Sequence, residues 1–218
     1  MTNVLISGIY PDRQQEEAKQ QQAKEALVTS VSACPLHAPP IAAAQQVLQY
    51  SLTCEDESMR EALKLITPTK DNFRTGDYKE CFNWNEISQE FHKQLPNFAH
   101  LPRRHPDDLS WYAVVFRSQR RVDCSNADLF EADKQAYEEA FSATNGSLLV
   151  YWYTGLDDQH NCLATCVWSS RDIARSVNSL PRHREAARLS ADVYVHYHID
   201  RYRIEWAPKN QTLKVEPW

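Results

Sequence analysis

Apolar and polar residues follow two different patterns along the chain, and the change falls near residue 107. Before it, apolar residues are widely spaced and prolines interrupt them often. Three stretches in this part have helical spacing: 41–52, 58–65 and 84–95. Asn83 directly precedes the last of them and Glu86 follows three residues later, which predicts a side-chain cap at its start. The first half of the chain is therefore expected to be irregular and mostly helical.

After residue 107 the pattern becomes compact and periodic. Short stretches rich in β-branched and aromatic residues predict four strands: 109–117, 148–153, 162–168 and 199–206. Helical patterns lie between the first and second strands and between the third and fourth: 125–141, then 169–180 and 182–195, with Ser169 as the expected cap of the second. The order β-α-β-β-α-β is that of ferredoxin-like proteins, in which helices cover one face of an antiparallel sheet. We therefore expect an α+β fold of this type.

The same patterns divide the chain into three parts. Residues 1–30 are expected to form a flexible polar lead-in, residues 31–106 a helical region that packs on the sheet, and residues 107–218 the ferredoxin-like domain. A domain of about 110 residues buries only a modest core, and helices on one face leave the other face of the sheet open. The N-terminal region, a second subunit or both would cover that face, so a homodimer is expected.

Composition removes several kinds of chemistry. The chain of 218 residues has Gly 4 against Trp 6 and Tyr 10, and neither glycine-rich nucleotide-binding signature occurs in it. A net charge of −5 and the lack of a long apolar run argue against nucleic-acid and membrane partners. The first eleven residues lack the pattern of a signal peptide. Six cysteines show no zinc-binding spacing, so we expect free thiols in the cytoplasm, no metal and no cofactor.

Aromatic residues on the predicted strands are the first candidates for a binding site. Their flat apolar rings and polar edges suit a small aromatic substrate. The proposed substrate-binding residues are Trp84, Trp111, Tyr151, Tyr153, Trp168 and Tyr202. The alternative is that these rings pack the core and a dimer interface, which is the more frequent role of any one of them.

Three polar residues are the candidates for catalysis. His183 and His196 have the side chain that exchanges protons most readily near neutral pH, and Asp200 shares a strand face with Tyr202. The alternatives are solvated or helix-capping histidines and, for Asp200, a position on a sheet-edge strand. No third ligand accompanies the histidines at a suitable spacing, so a metal site is not expected.

Two resemblances add to this picture. Trp168, Ser169, Ser179, Pro181 and His183 resemble a motif of the antibiotic-biosynthesis-monooxygenase-like, dimeric α/β-barrel proteins, with the histidine one place later than usual. More closely, residues 66–218 resemble an uncharacterised fungal protein family, in segments 68–71, 82–84, 151–153 and 216–218. The first resemblance implies a ferredoxin-like fold that dimerises, and the second implies a link to fungal secondary metabolism.

These observations lead to a functional hypothesis with alternatives. The protein is interpreted as a small cytoplasmic enzyme of fungal secondary metabolism that acts without a cofactor on an aromatic or polyketide-like intermediate. Oxygenation, cyclisation, isomerisation and decarboxylation all stay open, because the fold does not choose among them. One alternative is a non-catalytic binding or assembly module whose aromatic sheet face is a dimer interface. Haem binding, which some barrels of this type perform, is a third hypothesis.

Overall fold

A computed structural model describes residues 50–123 and 126–218, all of which belong to one compact unit. The predicted lead-in at residues 1–30 and most of the predicted helix at 41–52 lie outside the described residues. The division of the chain at residue 107 stays a prediction. No helix in the described part is long and apolar enough to cross a membrane.

The described residues form one antiparallel sheet in the order β2-β3-β1-β4-β5. The strands are β1 (Ser110–Arg120), β2 (Leu148–Tyr153), β3 (Asn161–Trp168), β4 (Tyr194–Ala207) and β5 (Thr212–Pro217). The first four have the connections and the order of a ferredoxin-like sheet, which confirms the predicted fold class. β5 adds an edge strand beside β4. β4 itself begins at Tyr194, five residues before the predicted strand at 199–206.

Helices precede the sheet and connect its strands. They are α1 (Cys54–Leu63), α2 (Tyr78–Cys81), α3 (Trp84–Gln94), α4 (Asn126–Ala143), α5 (Arg171–Ser176) and α6 (Pro181–Val193). α3 and α5 each continue into a short 3₁₀ turn, Leu95–Phe98 and Val177–Ser179. Pro181 begins α6, where its missing N–H has no helical partner to lose. The second helical region is therefore split, as the sequence predicted.

Two helix starts differ from the sequence-based expectation. The Asn83 side chain makes no capping bond to α3; its amide instead donates to the Leu65 carbonyl and to Glu86, and its oxygen accepts from the Thr67 N–H. At α5 the capping residue is Ser170, whose hydroxyl accepts from the Ile173 N–H. The predicted residue Ser169 instead donates its hydroxyl to the Ser147 carbonyl. Asn83 and Ser169 therefore each join separate segments of the chain and do not cap a helix.

The two faces of the sheet are covered by different helices. Successive residues of a strand point to opposite faces. Trp111, Ala113 and Val115 of β1 pack beneath α1–α3, on what we call the packed face. Tyr112 and Phe116 point toward α4–α6, on what we call the cavity face. The packed face, which the sequence left open to a second subunit, is thus covered within the chain.

Candidate active site

A cavity of about 140 Å³ lies between the cavity face of the sheet and helices α4 and α6. Phe116 and Tyr151 belong to its floor, Leu129 and Tyr137 come from α4, and Ala187 comes from α6. Most of these groups are apolar, and the rings of Tyr137 and Tyr151 are stacked at a centroid distance of 5.9 Å. The cavity has the concave, aromatic lining that is common in small-molecule sites.

A local irregularity in β2 turns two tyrosines toward this cavity. The pairing of β2 with β3 shifts between Leu148 and Val150, so an extra residue stands in β2 at this point. Leu149 and Val150 consequently both pack on the packed face, while Tyr151 and Tyr153 line the cavity. The β-bulge therefore decides which aromatic rings of LLVYWY reach the site.

The most unusual polar contact in the cavity joins Tyr151 and Asp133. The Tyr151 hydroxyl donates to a carboxylate oxygen of Asp133 at 2.5 Å. Burial raises the pKa of the Asp133 carboxyl, although the hydrogen bond from Tyr151 and the charge of Arg120 oppose the rise. Burial and the Asp133 charge raise the pKa of Tyr151 well above its ordinary value. A carboxyl with a raised pKa inside a cavity is a candidate proton donor or acceptor near neutral pH.

His183 lies where this cavity opens. Glu139 of α4 accepts hydrogen bonds from the backbone N–H groups of Arg182 (2.9 Å) and His183 (3.3 Å), which fixes the first turn of α6 against α4. Burial lowers the pKa of His183 below its ordinary value, and the Glu139 charge opposes this only in part. The imidazole is therefore neutral at pH 7 and can accept a proton.

Two thiols also face the cavity but are poor nucleophiles. Burial raises the pKa of Cys166 to about 12, and it also raises the pKa of Cys162. The Trp168 indole N–H donates to the Cys166 sulfur at 3.0 Å. Because the thiolate is the reactive form, both groups are inert near neutral pH.

The cavity continues into a wider cleft of about 1010 Å³ between the sheet and helices α5 and α6. Trp168, His183, Tyr194 and Tyr197 line both spaces. No residue of α6 is buried, so this helix stands over the cleft and does not fill it. Cavity and cleft therefore form one site with an inner and an outer part.

The structure brings four of the proposed residues together and separates the others. His183, Tyr151, Tyr153 and Trp168 line the cavity. The remaining aromatic residues belong to the core of the packed face: Trp84, Trp111 and Tyr202. This is the packing role that the sequence left open, and it follows from strand alternation and from the position of α3.

The other two proposed catalytic residues lie away from the cavity. His196 is exposed and pairs with Gln119 across the sheet. Asp200 points to the packed face, where it accepts from the Arg117 Nε at 2.9 Å and contacts the His198 Nε2 at 2.9 Å. His196 and Asp200 are one and three positions from Tyr197 along β4, and Tyr197 lines the cleft. Residues an odd number of positions apart on a strand point to opposite faces, so both side chains point away from the cleft.

Asp133 and Tyr194 were missed by the sequence reasoning. Asp133 lies four residues after Leu129 and three before Ala136, so it belongs to the same helix stripe as the apolar residues that face the sheet. A polar residue within an apolar stripe was the available signal. Tyr194 was assigned to a helix end, whereas it is the first residue of β4.

The topology and the cavity together define an α+β protein of ferredoxin-like fold with a candidate small-molecule site between sheet and helices. Residues 37–217 match the family model described as PB2B2.08-like, and the chain therefore belongs to that family. This finding confirms the resemblance to an uncharacterised fungal family.

One relative and two solved structures illustrate what the chain is similar to. The UPF0643 protein PB2B2.08 of Schizosaccharomyces pombe is 33% identical over 159 residues, which are 66% of this chain and 66% of that protein. A putative antibiotic biosynthesis monooxygenase from Chloroflexus aurantiacus aligns with 41% of this chain and 89% of its own, at 15% identity and a TM-score of 0.34. A variant of SnoaB, a cofactor-independent oxygenase from Streptomyces nogalater, aligns with 41% of this chain and 89% of its own, at 15% identity and a TM-score of 0.33.

Proposed function

We propose that this protein is an enzyme that binds a small aromatic or polyketide-like molecule between its sheet and α4–α6 and moves a proton on it. The observation that carries the proposal is the Asp133–Tyr151 pair, a half-buried carboxyl and phenol in contact inside an aromatic cavity. Such pairs are costly to bury, and they concentrate where a protein needs a proton donor or acceptor.

The cavity offers two proton-carrying groups in different states. Asp133 retains its proton to a higher pH than an ordinary carboxyl, whereas His183 loses its proton at a lower pH than an ordinary imidazole. Near pH 7 the neutral His183 can take a proton from an acidic C–H or phenol of the substrate. Asp133 can return one through Tyr151 over the pH range in which its raised pKa keeps the carboxyl protonated. Isomerisation, cyclisation and decarboxylation all need such transfers, and oxygenation of an aromatic substrate also begins by removing a proton.

The finer parts of the proposal concern context. We place the reaction in fungal secondary metabolism and in the cytoplasm, without a nucleotide cofactor. The match to a fungal relative and the absence of glycine-rich nucleotide motifs support this. Cys54, Cys81, Cys162 and Cys166 are free thiols, as is usual in a reducing compartment.

A gene deletion in the host fungus tests the proposal. The deletion strain is expected to accumulate an aromatic intermediate that mass spectrometry detects and that the wild-type gene removes. Asp133→Asn keeps the shape of the side chain but removes the titrating carboxyl, so it should fail to remove the intermediate. Glu138→Gln is the matched control, because Glu138 is an exposed carboxylate of the same helix outside the cavity.

Immunoblots must show equal amounts of both variants for the comparison to count. Full complementation by Asp133→Asn at wild-type abundance would remove the proposed proton carrier. A metabolite profile unchanged by the deletion would count against an enzyme of secondary metabolism altogether.

The assembly-module alternative receives less support. It requires the aromatic sheet face to bind a second copy, but α1–α3 already cover the packed face. A homodimer stays a prediction and would use another surface. Light scattering on the purified full chain measures its oligomeric state directly.

A further inference from the structure

The outer cleft carries a local charge opposite to that of the whole chain. The chain has a net charge of −5, yet five arginines from three separate elements line the cleft: Arg171, Arg175, Arg184, Arg188 and Arg201. Among the described residues that line it, none is Asp or Glu. Like charges gathered around one space repel each other, so an anion bound there would be stabilised by all of them.

Helical spacing explains how these side chains converge. Arg171 and Arg175 are four residues apart on α5, and Arg184 and Arg188 are four apart on α6, so each pair lies on one helix face. Arg201 comes from β4, where it pairs with Val114 across the sheet. The positive charge is thus supplied from both walls and from the floor of the cleft.

Three of the five guanidinium groups are available for a ligand. Arg188 pairs with Glu185 at 2.8 Å, in an exposed contact, and Arg171 lies over the Trp218 ring at 5.6 Å. Within residues 50–123 and 126–218, no side-chain hydrogen bond or ion pair holds Arg175, Arg184 or Arg201. Arginine presents several N–H donors in a planar fork that matches a carboxylate or a phosphate.

The floor of the cleft is aromatic and apolar. Tyr112, Phe116 and Tyr197 line it, and Tyr197 keeps 45% of its surface exposed. Val195 beside it is 56% exposed. An apolar floor beneath a charged rim suits a ligand with a flat hydrophobic body and an anionic end.

We propose that the ligand of this site is a small aromatic oxoanion, a carboxylate or a phosphate ester, whose ring lies on the sheet and whose anionic group is held by Arg175, Arg184 and Arg201. This inference rests on the proposed function, because the cleft and the inner cavity share His183 and Trp168. The ring then extends past His183 toward Asp133, and the arginines fix its orientation.

Calorimetric titration of the purified full chain at low salt tests the proposal with three probes. They are 2-naphthoate, 2-naphthyl phosphate and the uncharged 2-naphthamide. At least one of the two anions should bind the wild type about ten-fold more tightly than the amide, or better, because charged hydrogen bonds are stronger than neutral ones. Whichever anion binds more tightly identifies the preferred oxoanion. The preference for the anions over the amide should decrease in about 0.5 M salt, since exposed charges are screened.

Variants assign the preference to the cleft. The double variant Arg184→Gln, Arg201→Gln should bind the anions and the amide with affinities within about three-fold of each other. Arg182→Gln is the control, because Arg182 is an exposed residue of the same helix that does not line the cleft. Equal affinities for all three probes, no measurable binding of either anion, or a preference that survives in the double variant would each overturn the proposal.

Asp133→Asn separates this inference from the function on which it rests. Asp133 lies in the inner cavity, so this variant should keep the preference for anions. If the preference is absent while Asp133→Asn still fails to complement the deletion strain, only the ligand class is wrong. If the preference holds while Asp133→Asn complements fully, the site binds anions but does not perform the proposed proton transfer.

Discussion

On the packed face, the polar atoms of Trp111, Tyr78 and Trp84 are paired inside the protein. The Trp111 indole donates to Asp56 at 3.1 Å, the hydroxyl groups of Tyr78 and Thr165 are 3.0 Å apart, and the Trp84 indole donates to the Tyr78 carbonyl. On the cavity face, aromatic residues are as frequent, but they surround a cavity and a cleft. The two faces carry the same types of aromatic residue, but on one face these residues form a packed core and on the other they line a candidate binding site.

The difference comes from the helices and not from the strands. α1 and α3 present large apolar side chains to the sheet, among them Met59, Leu63 and Phe91, which are fully buried. α6 presents Ala186, Ala187 and Ser190, which are too small to reach the strands. An aromatic strand residue therefore becomes core or site according to the size of the residue opposite it. Counting aromatic residues on strands cannot separate the two roles.

The largest expected effect belongs to the packed face. Arg104 and Asp56 form an ion pair at 2.7 Å whose side chains are 4% and 0% exposed, and Asp56 also accepts from the Thr53 hydroxyl and the Trp111 indole. Asp56→Ala would leave the Arg104 charge buried without its carboxylate. We expect a loss of about 3–5 kcal/mol in the free energy of unfolding, measured by urea denaturation.

Glu80→Ala is the comparison for that experiment, because Glu80 pairs with Lys70 in an exposed contact. It should cost no more than about 1 kcal/mol. Similar losses for the two variants would show that the Arg104–Asp56 pair does not anchor the packed face.

A smaller effect distinguishes the tyrosines of the two faces. Tyr78 is fully buried, and its hydroxyl bonds to that of Thr165. Tyr78→Phe leaves the Thr165 hydroxyl without this partner, so a loss of about 1–2 kcal/mol in unfolding free energy is expected. Tyr197→Phe on the cavity face should change it by less than about 0.5 kcal/mol, because that side chain is partly exposed. Thermal or urea unfolding of both variants measures the contrast, and equal losses would contradict it.

The fold was predictable because most of its strands have one or two buried faces. β1, β2 and β3 show up as apolar runs in the sequence, and the turns between them contain Gly146 and Gly155. In the first half of β4, Val195, Tyr197 and Ile199 alternate with the exposed His196 and His198, which is a strand pattern, but this stretch was assigned to a helix end and a joint. Its Val, Ile and Tyr residues favour a strand locally, and pairing with β1 extends the strand back to Tyr194.

The candidate site was only partly predictable, for the same physical reason. Both sheet faces are covered, so both carry apolar and aromatic residues, and alternation groups the residues without saying which group faces a cavity. Tyr151 and Trp111 are therefore equivalent in the sequence but lie on opposite sides of the sheet. Asp133 was overlooked because only the apolar members of its helix stripe were considered.

The smallest expected effect is a pH dependence that belongs to the cavity face alone. The folded protein raises the pKa of Asp133 above its ordinary value of 3.8, so folded molecules hold this proton to higher pH than unfolded ones. As pH rises above 3.8, ionisation of this group favours the unfolded chain until the raised folded pKa is passed. Asp133→Asn should therefore gain stability relative to the wild type as the pH rises above 3.8, until the raised folded pKa is passed, in urea denaturation at each pH. Glu138→Gln, an exposed change on the same helix, should show no such trend. If the wild type and the Asp133→Asn variant differ in unfolding free energy by an amount that is constant with pH, the cavity does not perturb this carboxyl, and the contrast between the two faces is one of packing alone.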